Sequence, residues 1–128
     1  MRRVLKTNGV LVINSFGDLN SKQDFLTTSL HKTLKSVFKN VRVHPGESET
    51  LFFVAGNSPE LTILRPQNVD DVYGSLREAA AKSYQSNIQV PLERGQVLTD
   101  DFNPAEFYDA KNRETLRRDL AMSMKRLQ

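Results

Sequence analysis

Apolar residues along this chain fall into short blocks whose spacing changes from strand-like to helix-like and back. Residues 10–14, Val-Leu-Val-Ile-Asn, form a continuous β-branched run, which predicts a strand buried on both faces. The following apolar residues recur at helical intervals, which predicts a helix capped by Asn20 or Ser21 and ending near Lys39-Asn40. The apolar stripe of this helix comprises Leu19, Leu26, Leu30, Leu34, Val37 and Phe38.

Two more strands are predicted by the next blocks. Residues 40–44, Asn-Val-Arg-Val-His, alternate apolar and polar side chains, and residues 51–55, Leu-Phe-Phe-Val-Ala, form a second buried run. Pro45-Gly46 marks a turn, and so short a connection predicts antiparallel neighbours. A strand, a helix and two strands in this order predict an α/β domain with a small, three-stranded mixed sheet that ends in an antiparallel hairpin.

The second half of the chain is predicted to be mainly helical. Asn68 is the expected cap of a helix, and residues 87–92 alternate as an extended segment. The predicted helix has an apolar side made of Val69, Val72, Tyr73, Leu76 and Ala80. Asn103, Pro104 and Glu106 occupy the N-cap, N1 and N3 positions of a further helix start. A last helix is expected from about Asn112, with the stripe Leu116, Leu120, Met124 and Leu127.

Composition narrows the class of protein. The chain has 128 residues, which fits one domain, and 38% of them are apolar. No cysteine is present, which excludes a disulfide framework and thiolate chemistry and fits a cytoplasmic protein. No apolar run is long enough to cross a membrane, and the N-terminus does not resemble a signal peptide.

Charge is distributed unevenly although its sum is only +3. Acidic residues dominate from Glu93 to Asp109, and basic residues dominate from Lys111 to Gln128. The expected reading is a solvated helix that its own neighbours partly neutralise. The basic segment has no interleaved aromatic residues, so neither a nucleic acid nor a membrane is an expected partner.

Several stretches resemble the end of a known fold. "MRRVLKTNGVLVIN" resembles the fifth-strand region of a Rossmann-like methyltransferase fold, and "FKNVRVH" and "TLFFVAG" look like its final antiparallel hairpin. With "VLTDDFNPAE", the chain is similar to spermidine synthase-like proteins. The resemblance implies that residues 1–128 are a single, partial domain, the C-terminal half of that fold with C-terminal helices.

The resemblance also implies an activity for the intact protein. Spermidine synthase-like enzymes transfer an aminopropyl group from decarboxylated S-adenosylmethionine to an amine. The glycine-rich turn and the acidic residues that serve the donor in that family have no counterpart here, so we expect no cofactor site, no catalytic residue and no activity in this chain alone. The expected small-molecule partner is a cationic amine bound by the intact protein.

Asp100 and Asp101 are the sharpest candidates for binding that amine, because adjacent carboxylates form charge-assisted hydrogen bonds with cations. The alternative is a local role, in which Thr99 or an aspartate caps a helix or pairs with the basic tail. Two carboxylates alone are a poor metal site, so no metal is expected. Asn14 follows the carboxyl end of the first strand, where open α/β sheets bind ligands.

The other polar and aromatic residues have plainer interpretations. Glu106 is expected to cap a helix, and Phe107 and Tyr108 are expected to anchor the C-terminal helices in the core. His31, on the polar side of its helix, and His44, at a strand end, are not expected to be catalytic.

Two other functions stay open: a non-enzymatic interaction domain that uses its sheet edge or its basic helix, and the remnant of another S-adenosylmethionine-dependent methyltransferase-fold protein. Because the first strand lacks a partner on one side, we also expect a homodimer with Val10 and Val12 near the contact.

Overall fold

A computed structural model describes residues 5–17, 24–46, 50–59, 61, 70 and 72–125. Strands and helices alternate at first and then give way to helices alone. The elements are β1 (Val10–Phe16), α1 (Phe25–Val37), β2 (Asn40–Pro45), β3 (Thr50–Gly56), α2 (Arg77–Gln85) and α3 (Ala105–Lys125), with a 3₁₀ turn at Gly74–Leu76.

The three strands form one open sheet in the order β1-β3-β2. Both hydrogen-bonded pairs are antiparallel, and Val54 of β3 lies between Val12 of β1 and Arg42 of β2. The predicted α/β class and the β2–β3 hairpin are confirmed. The predicted mixed sheet is wrong, because β3 is inserted between the two strands that run in the same direction and keeps them from pairing with each other.

The core lies on one face of this sheet. Phe53 and Ala55 of β3 and Val43 of β2 are almost fully buried, and Leu34 and Phe38 pack against them from α1. Alternate residues of each strand face this core, as expected for a pleated sheet with a single packed face. Val90 joins the same cluster from the extended segment after α2.

β1 is not buried on both faces as its apolar run predicted. Val10 and Val12 remain 52% and 58% exposed, whereas Leu11 and Ile13 are half-buried against the core. The reason is position: β1 is an edge strand, and only its inner face packs on the core cluster. A continuous apolar run therefore marks a half-buried strand here.

The helix boundaries differ from those predicted. Helix α1 ends at Val37, which is 38% exposed, and the suggested caps Asn20 and Ser21 lie, with Leu19, outside the described residues. Leu26, Leu34 and Phe38 are buried as predicted.

The second helix, α2, begins only at Arg77. Val72 and Tyr73 precede it, and Tyr73 is 80% exposed, so neither forms part of its apolar side. The expected cap Asn68 lies, with Val69, outside the described residues. Residues 87–92 follow the predicted alternation of burial, and the N–H of Ile88 donates to the carbonyl of Val43 at 2.8 Å.

A single helix, α3, replaces the two predicted after Asn103. The expected cap is confirmed, since Asn103 Oδ1 accepts from the N–H of Ala105 at 3.3 Å. Leu116 is half-buried, but Leu120 and Met124 are exposed, and Leu127 lies outside the described residues. Within the described residues, the predicted apolar stripe is therefore exposed from Leu120 onward.

Helix α1 is covered on its polar side as well. Residues 94–98, named the strap here, cross the small polar side chains of the helix. The backbone N–H groups of Gln96 and Leu98 donate to Ser29 Oγ at 3.1 Å and to Thr33 Oγ1 at 2.8 Å. His31, expected on a polar surface, is only 8% exposed.

Candidate functional site

The carboxyl end of β1 forms the floor of an open cleft. Asn14 is exposed there, whereas Ser15 is buried with its hydroxyl near the carbonyl of Phe16. That carbonyl accepts a hydrogen bond from Asn112 Nδ2 of α3 at 3.1 Å. Asn112 is itself buried, so this bond fixes α3 against the end of β1.

Helix α3 is held to α1 by aromatic packing at its first turn. The ring centroids of Phe25 and Tyr108 are 4.5 Å apart, and Phe107 meets Tyr108 edge-on at 5.2 Å. Tyr108 is half-buried, in keeping with its expected anchoring role, but Phe107 is 66% exposed and the corresponding prediction is wrong. Phe107 lies on the outer side of a helix that packs only one side on α1 and β1.

Between these elements lies a cleft of about 260 Å³. Its walls combine apolar side chains with a polar rim. The lining residues are Ile13, Asn14 and Ser15 of β1, Leu26 and Leu30 of α1, and Ala105, Glu106 and Asp109 of α3. We call this feature the acidic cleft, because Glu106 and Asp109 are its charged residues.

The two carboxylates differ in their partners. Asp109 Oδ2 accepts from Arg113 Nε at 2.6 Å, and the Arg113 guanidinium lies 4.7 Å above the ring centre of Phe16. Glu106 is exposed and forms no ion pair with a described residue. Both acids lie in the first turns of α3, where the helix dipole favours negative charge. Glu106 is therefore the carboxylate open to an incoming cation.

Of the residues singled out from the sequence, Asn14 lines the acidic cleft and Asp100 and Asp101 do not. These aspartates lie at the tip of a turn closed by two backbone hydrogen bonds between Thr99 and Phe102, at 3.0 and 3.1 Å. Thr99 Oγ1 also accepts from the N–H of Phe102. Both aspartates are exposed and pair with no described basic residue, so their carboxylates are free in this part of the chain.

The basic segment is partly neutralised by neighbouring acidic residues, as its sequence predicted. Arg113 pairs with Asp109, and Glu114 pairs with Arg117 at 3.8 Å and with Arg118 at 2.9 Å. These contacts join residues three or four positions apart on exposed helix surface, where each contributes only about 0.3–0.5 kcal/mol.

Neither histidine joins the cleft lining. His44 Nδ1 lies 3.1 Å from the carbonyl oxygen of Ser83 and thereby ties β2 to α2. Burial lowers the pKa of His31, the nearby positive charge of Lys35 lowers it further, and a hydrogen bond with the backbone of Val90 acts in the opposite direction. A buried imidazole with a lowered pKa is held neutral, which fits a packing role.

Within the described residues, no group of three or more histidine and acidic side chains is arranged to hold a metal ion. None of the helices described combines the length and the apolarity needed to cross a membrane.

Comparison with known proteins adds no relative. No protein-family model matches the chain, and no match is found among the curated proteins or the solved structures. The chemistry of the acidic cleft is therefore argued from its own residues.

Sequence reasoning missed Glu106 and Asp109 as a pair. The signal was present in their spacing, because residues three apart share one face of a helix. Its meaning depended on which element that face meets, and the sequence does not specify that α3 packs across the end of β1.

Proposed function

We propose that this chain is the C-terminal portion of a spermidine synthase-like transferase and that its acidic cleft holds the amine that accepts the aminopropyl group. The proposal rests on one observation: the acidic side chains of Glu106 and Asp109 line the same cleft as the apolar side chains of Leu26 and Leu30, at the end of β1. An aliphatic diamine likewise combines charged and apolar parts, because its cationic ends are joined by an apolar chain. Carboxylates bind such ends by charge-assisted hydrogen bonds.

The topology supports this choice. A helix joins β1 to β2, and β3 returns between them in the opposite direction. A helix followed by a final antiparallel hairpin is also what the resemblance implies. The topology also puts Asn14 at the carboxyl end of β1, in the lining of the acidic cleft.

The proposed chemistry is displacement at carbon. The amine nitrogen, after losing a proton to a base, forms a bond to the propyl carbon of decarboxylated S-adenosylmethionine. The carbon–sulfur bond breaks, and its electron pair returns the sulfonium to a neutral thioether. Glu106, the carboxylate of the cleft that is not engaged by Arg113, would orient the acceptor, and the donor-binding motifs would lie in a part of the family's fold that this sequence does not contain. The chain alone would thus be inactive, and a cytoplasmic location belongs to the same proposal.

Affinity for the amine is expected to be weak in this chain. Glu106 is exposed, and exposed ion pairs contribute about 0–1 kcal/mol each. Adding the burial of a few methylene groups at about 0.8 kcal/mol each gives a Kd near the millimolar range.

A titration with 1,4-diaminobutane, followed by NMR of the isotope-labelled chain, tests the proposal. We expect saturable shifts at Asn14, Glu106 and Asp109, and Glu106→Gln should weaken binding about threefold to fivefold because it removes one exposed charge. Glu114→Gln is the matched control, since it changes the same charge on an outward part of α3. Methylthioadenosine, which probes the donor site, is expected to produce no shifts.

Two results would contradict this assignment. Binding abolished by Asp100→Asn with Asp101→Asn, but unchanged by Glu106→Gln, would place the amine at the turn. Shifts that do not saturate, or that a simple salt reproduces, would remove the amine from the proposal altogether.

The second candidate is a non-enzymatic interaction domain. It is favoured by the exposed side chains of Val10 and Val12 on β1. The alternative of another methyltransferase-fold remnant shares the same topology. Saturable binding of S-adenosyl nucleotides without any response to diamines would favour that remnant.

A further inference from the structure

Asp109 lines the acidic cleft but already has a cationic partner. Its Oδ2 accepts from Arg113 Nε at 2.6 Å, a short and charge-assisted hydrogen bond. Arg113 lies four positions further along α3, so the bond runs along the surface of one helix. The chain therefore supplies its own cation to one of the two carboxylates of the cleft.

The guanidinium of Arg113 is also held from a second direction. It lies 4.7 Å above the ring centre of Phe16, within the distance at which an aromatic face attracts a cation. Phe16 is itself tied to α3, because its carbonyl accepts from Nδ2 of the buried Asn112 at 3.1 Å. Arg113 is thus seated between a carboxylate of α3 and a ring of β1.

Another ion pair of α3 shows what this seat adds. Glu114 accepts from Arg118 Nε at 2.9 Å, with the same donor atom and the same spacing, but the Glu114 side chain is 50% exposed whereas that of Asp109 is 34% exposed. Among the described residues, no aromatic ring lies beneath Arg118. An exposed pair of this kind is weak on its own. The ring contact and the less exposed carboxylate favour Arg113 over a mobile cation at Asp109.

The charge that remains in the cleft is located at Glu106. This side chain is exposed and forms no ion pair with a described residue. The two carboxylates contribute two negative charges and Arg113 offsets one of them. An incoming ligand therefore meets a single uncompensated carboxylate beside the apolar wall of Leu26 and Leu30.

We propose that Arg113 is a specificity-determining residue, which limits the acidic cleft to one ammonium group of its ligand. The ligand class is then an alkyl amine whose cationic end meets Glu106 and whose chain lies on Leu26 and Leu30. A second ammonium group gains no carboxylate of its own while Arg113 is in place. This inference rests on the proposed function and specifies which part of the acceptor is recognised.

The restriction fits the proposed chemistry. A carboxylate beside an amine favours the protonated form, and a protonated nitrogen has no lone pair with which to form a bond. A cleft that held both ends of a diamine as cations would leave neither nitrogen free to react. Arg113 would keep Asp109 from the far nitrogen, so that only the end at Glu106 is held as an ammonium group.

Removal of Arg113 should change this preference. Glu106 and Asp109 are three residues apart on α3, which puts their Cβ atoms about 5–6 Å apart. The extended four-carbon chain of 1,4-diaminobutane can span such a gap. In Arg113→Gln both carboxylates are open, so a diamine can pair with both at once, whereas a monoamine can pair with only one.

NMR titrations of the isotope-labelled chain with butylamine and with 1,4-diaminobutane, at equal ionic strength, test the proposal. In the natural chain we expect the diamine to bind only about twofold tighter, because its two equivalent ends compete for one carboxylate and cannot engage together. In Arg113→Gln the advantage of the diamine should rise by a further factor of about three to five, the contribution of one exposed ion pair.

Two further variants serve as controls. Arg118→Gln is the matched one, since it removes the same donor atom at the same spacing from Glu114, which is not part of the cleft lining, and it should leave the ratio of affinities unchanged. In Arg113→Gln combined with Asp109→Asn the added advantage should vanish, which assigns it to Asp109. Circular dichroism checks that each variant is folded. In the natural chain, the Nε–H signal of Arg113 should stay unshifted at saturating diamine.

Two results would overturn the inference alone. One is an advantage of about fivefold or more for the diamine in the natural chain, together with a shifted Arg113 signal, because Arg113 would then give way to the ligand. The other is a ratio of affinities that Arg113→Gln leaves unchanged. In both cases amines would still bind the cleft and the proposed function would stand. Saturable binding of neither amine to any of these chains would overturn both.

Discussion

The two sides of α1 are both buried, but by different means. The side facing the sheet is covered by apolar packing, in which Leu34 and Phe38 join the cluster around Phe53. The opposite side is covered by the strap, whose backbone N–H groups bond the hydroxyls of Ser29 and Thr33. Small polar side chains on a helix can therefore bind a backbone segment through hydrogen bonds, whereas an apolar stripe packs against other side chains. An amphipathic pattern identifies the first kind of burial and conceals the second.

The largest expected loss of stability comes from a substitution on the side of α1 that faces the sheet. Leu34→Ala should lower the free energy of unfolding by about 2–5 kcal/mol, because Leu34 is 6% exposed and its loss leaves a cavity in the core. Val37→Ala, on the same helix but 38% exposed, is the control and should cost well under half as much. Urea denaturation measures both, and equal losses would show that the core does not depend on this side of α1.

The contact between the strap and α1 should be disrupted by adding one methyl group to the strap. A Cβ on Gly95 would lie 2.5 Å from the backbone carbon of Thr28 and 2.8 Å from the nitrogen of Ser29. Gly95→Ala should therefore push the strap off α1, with a loss of about 1–3 kcal/mol and faster hydrogen exchange at Gln96 and Leu98. Gly74→Ala is the matched control, because open space surrounds that position. Unchanged exchange at Leu98 would mean that the strap is held elsewhere.

The smallest effect concerns acidity at His31, which lies between the two sides beside Val90. Because folding lowers its pKa from 6.5, the unfolded chain binds the proton more readily. The stability that depends on a neutral His31 is thus fully present above about pH 6.5. It is lost as the pH falls through the lower pKa of His31 in the folded chain. We expect His31→Gln to flatten the decline of Tm as the pH falls below about 6.5. An equally steep decline in the variant would assign the acid sensitivity to other groups.

The features that could be predicted from the sequence are those that depend on residues close together along the chain. Strands β1 to β3, the leucine stripe of α1 and the Asn103 cap depend on neighbouring residues, and the pattern placed them. The strap depends on Gly95 meeting Thr28, far apart in sequence, and nothing in its own composition indicates that contact. The strand order also depends on tertiary pairing, so the sheet was expected to be mixed.

The candidate site divides in the same way. Asn14 was placed at the cleft because strand ends are recognisable from apolar runs. Glu106 was read as a capping residue and Asp109 only as part of an acidic stretch, because their role at the cleft depends on how α3 crosses β1 and α1. Asp100 and Asp101 attract attention as adjacent charges, yet they lie in the turn between Thr99 and Phe102 and are not part of the cleft lining.

The position of β3 has a consequence for the order in which the molecule can fold. It is the middle strand in space but the last of the three along the chain. During synthesis on a ribosome, β1 and α1 emerge well before the strand that will pair with β1. The short β2–β3 connection allows that hairpin to close first, whereas joining β1 requires a long loop to close, the slower step for a nascent chain. Until then, the edge of β1 that will bond β3 is unpaired.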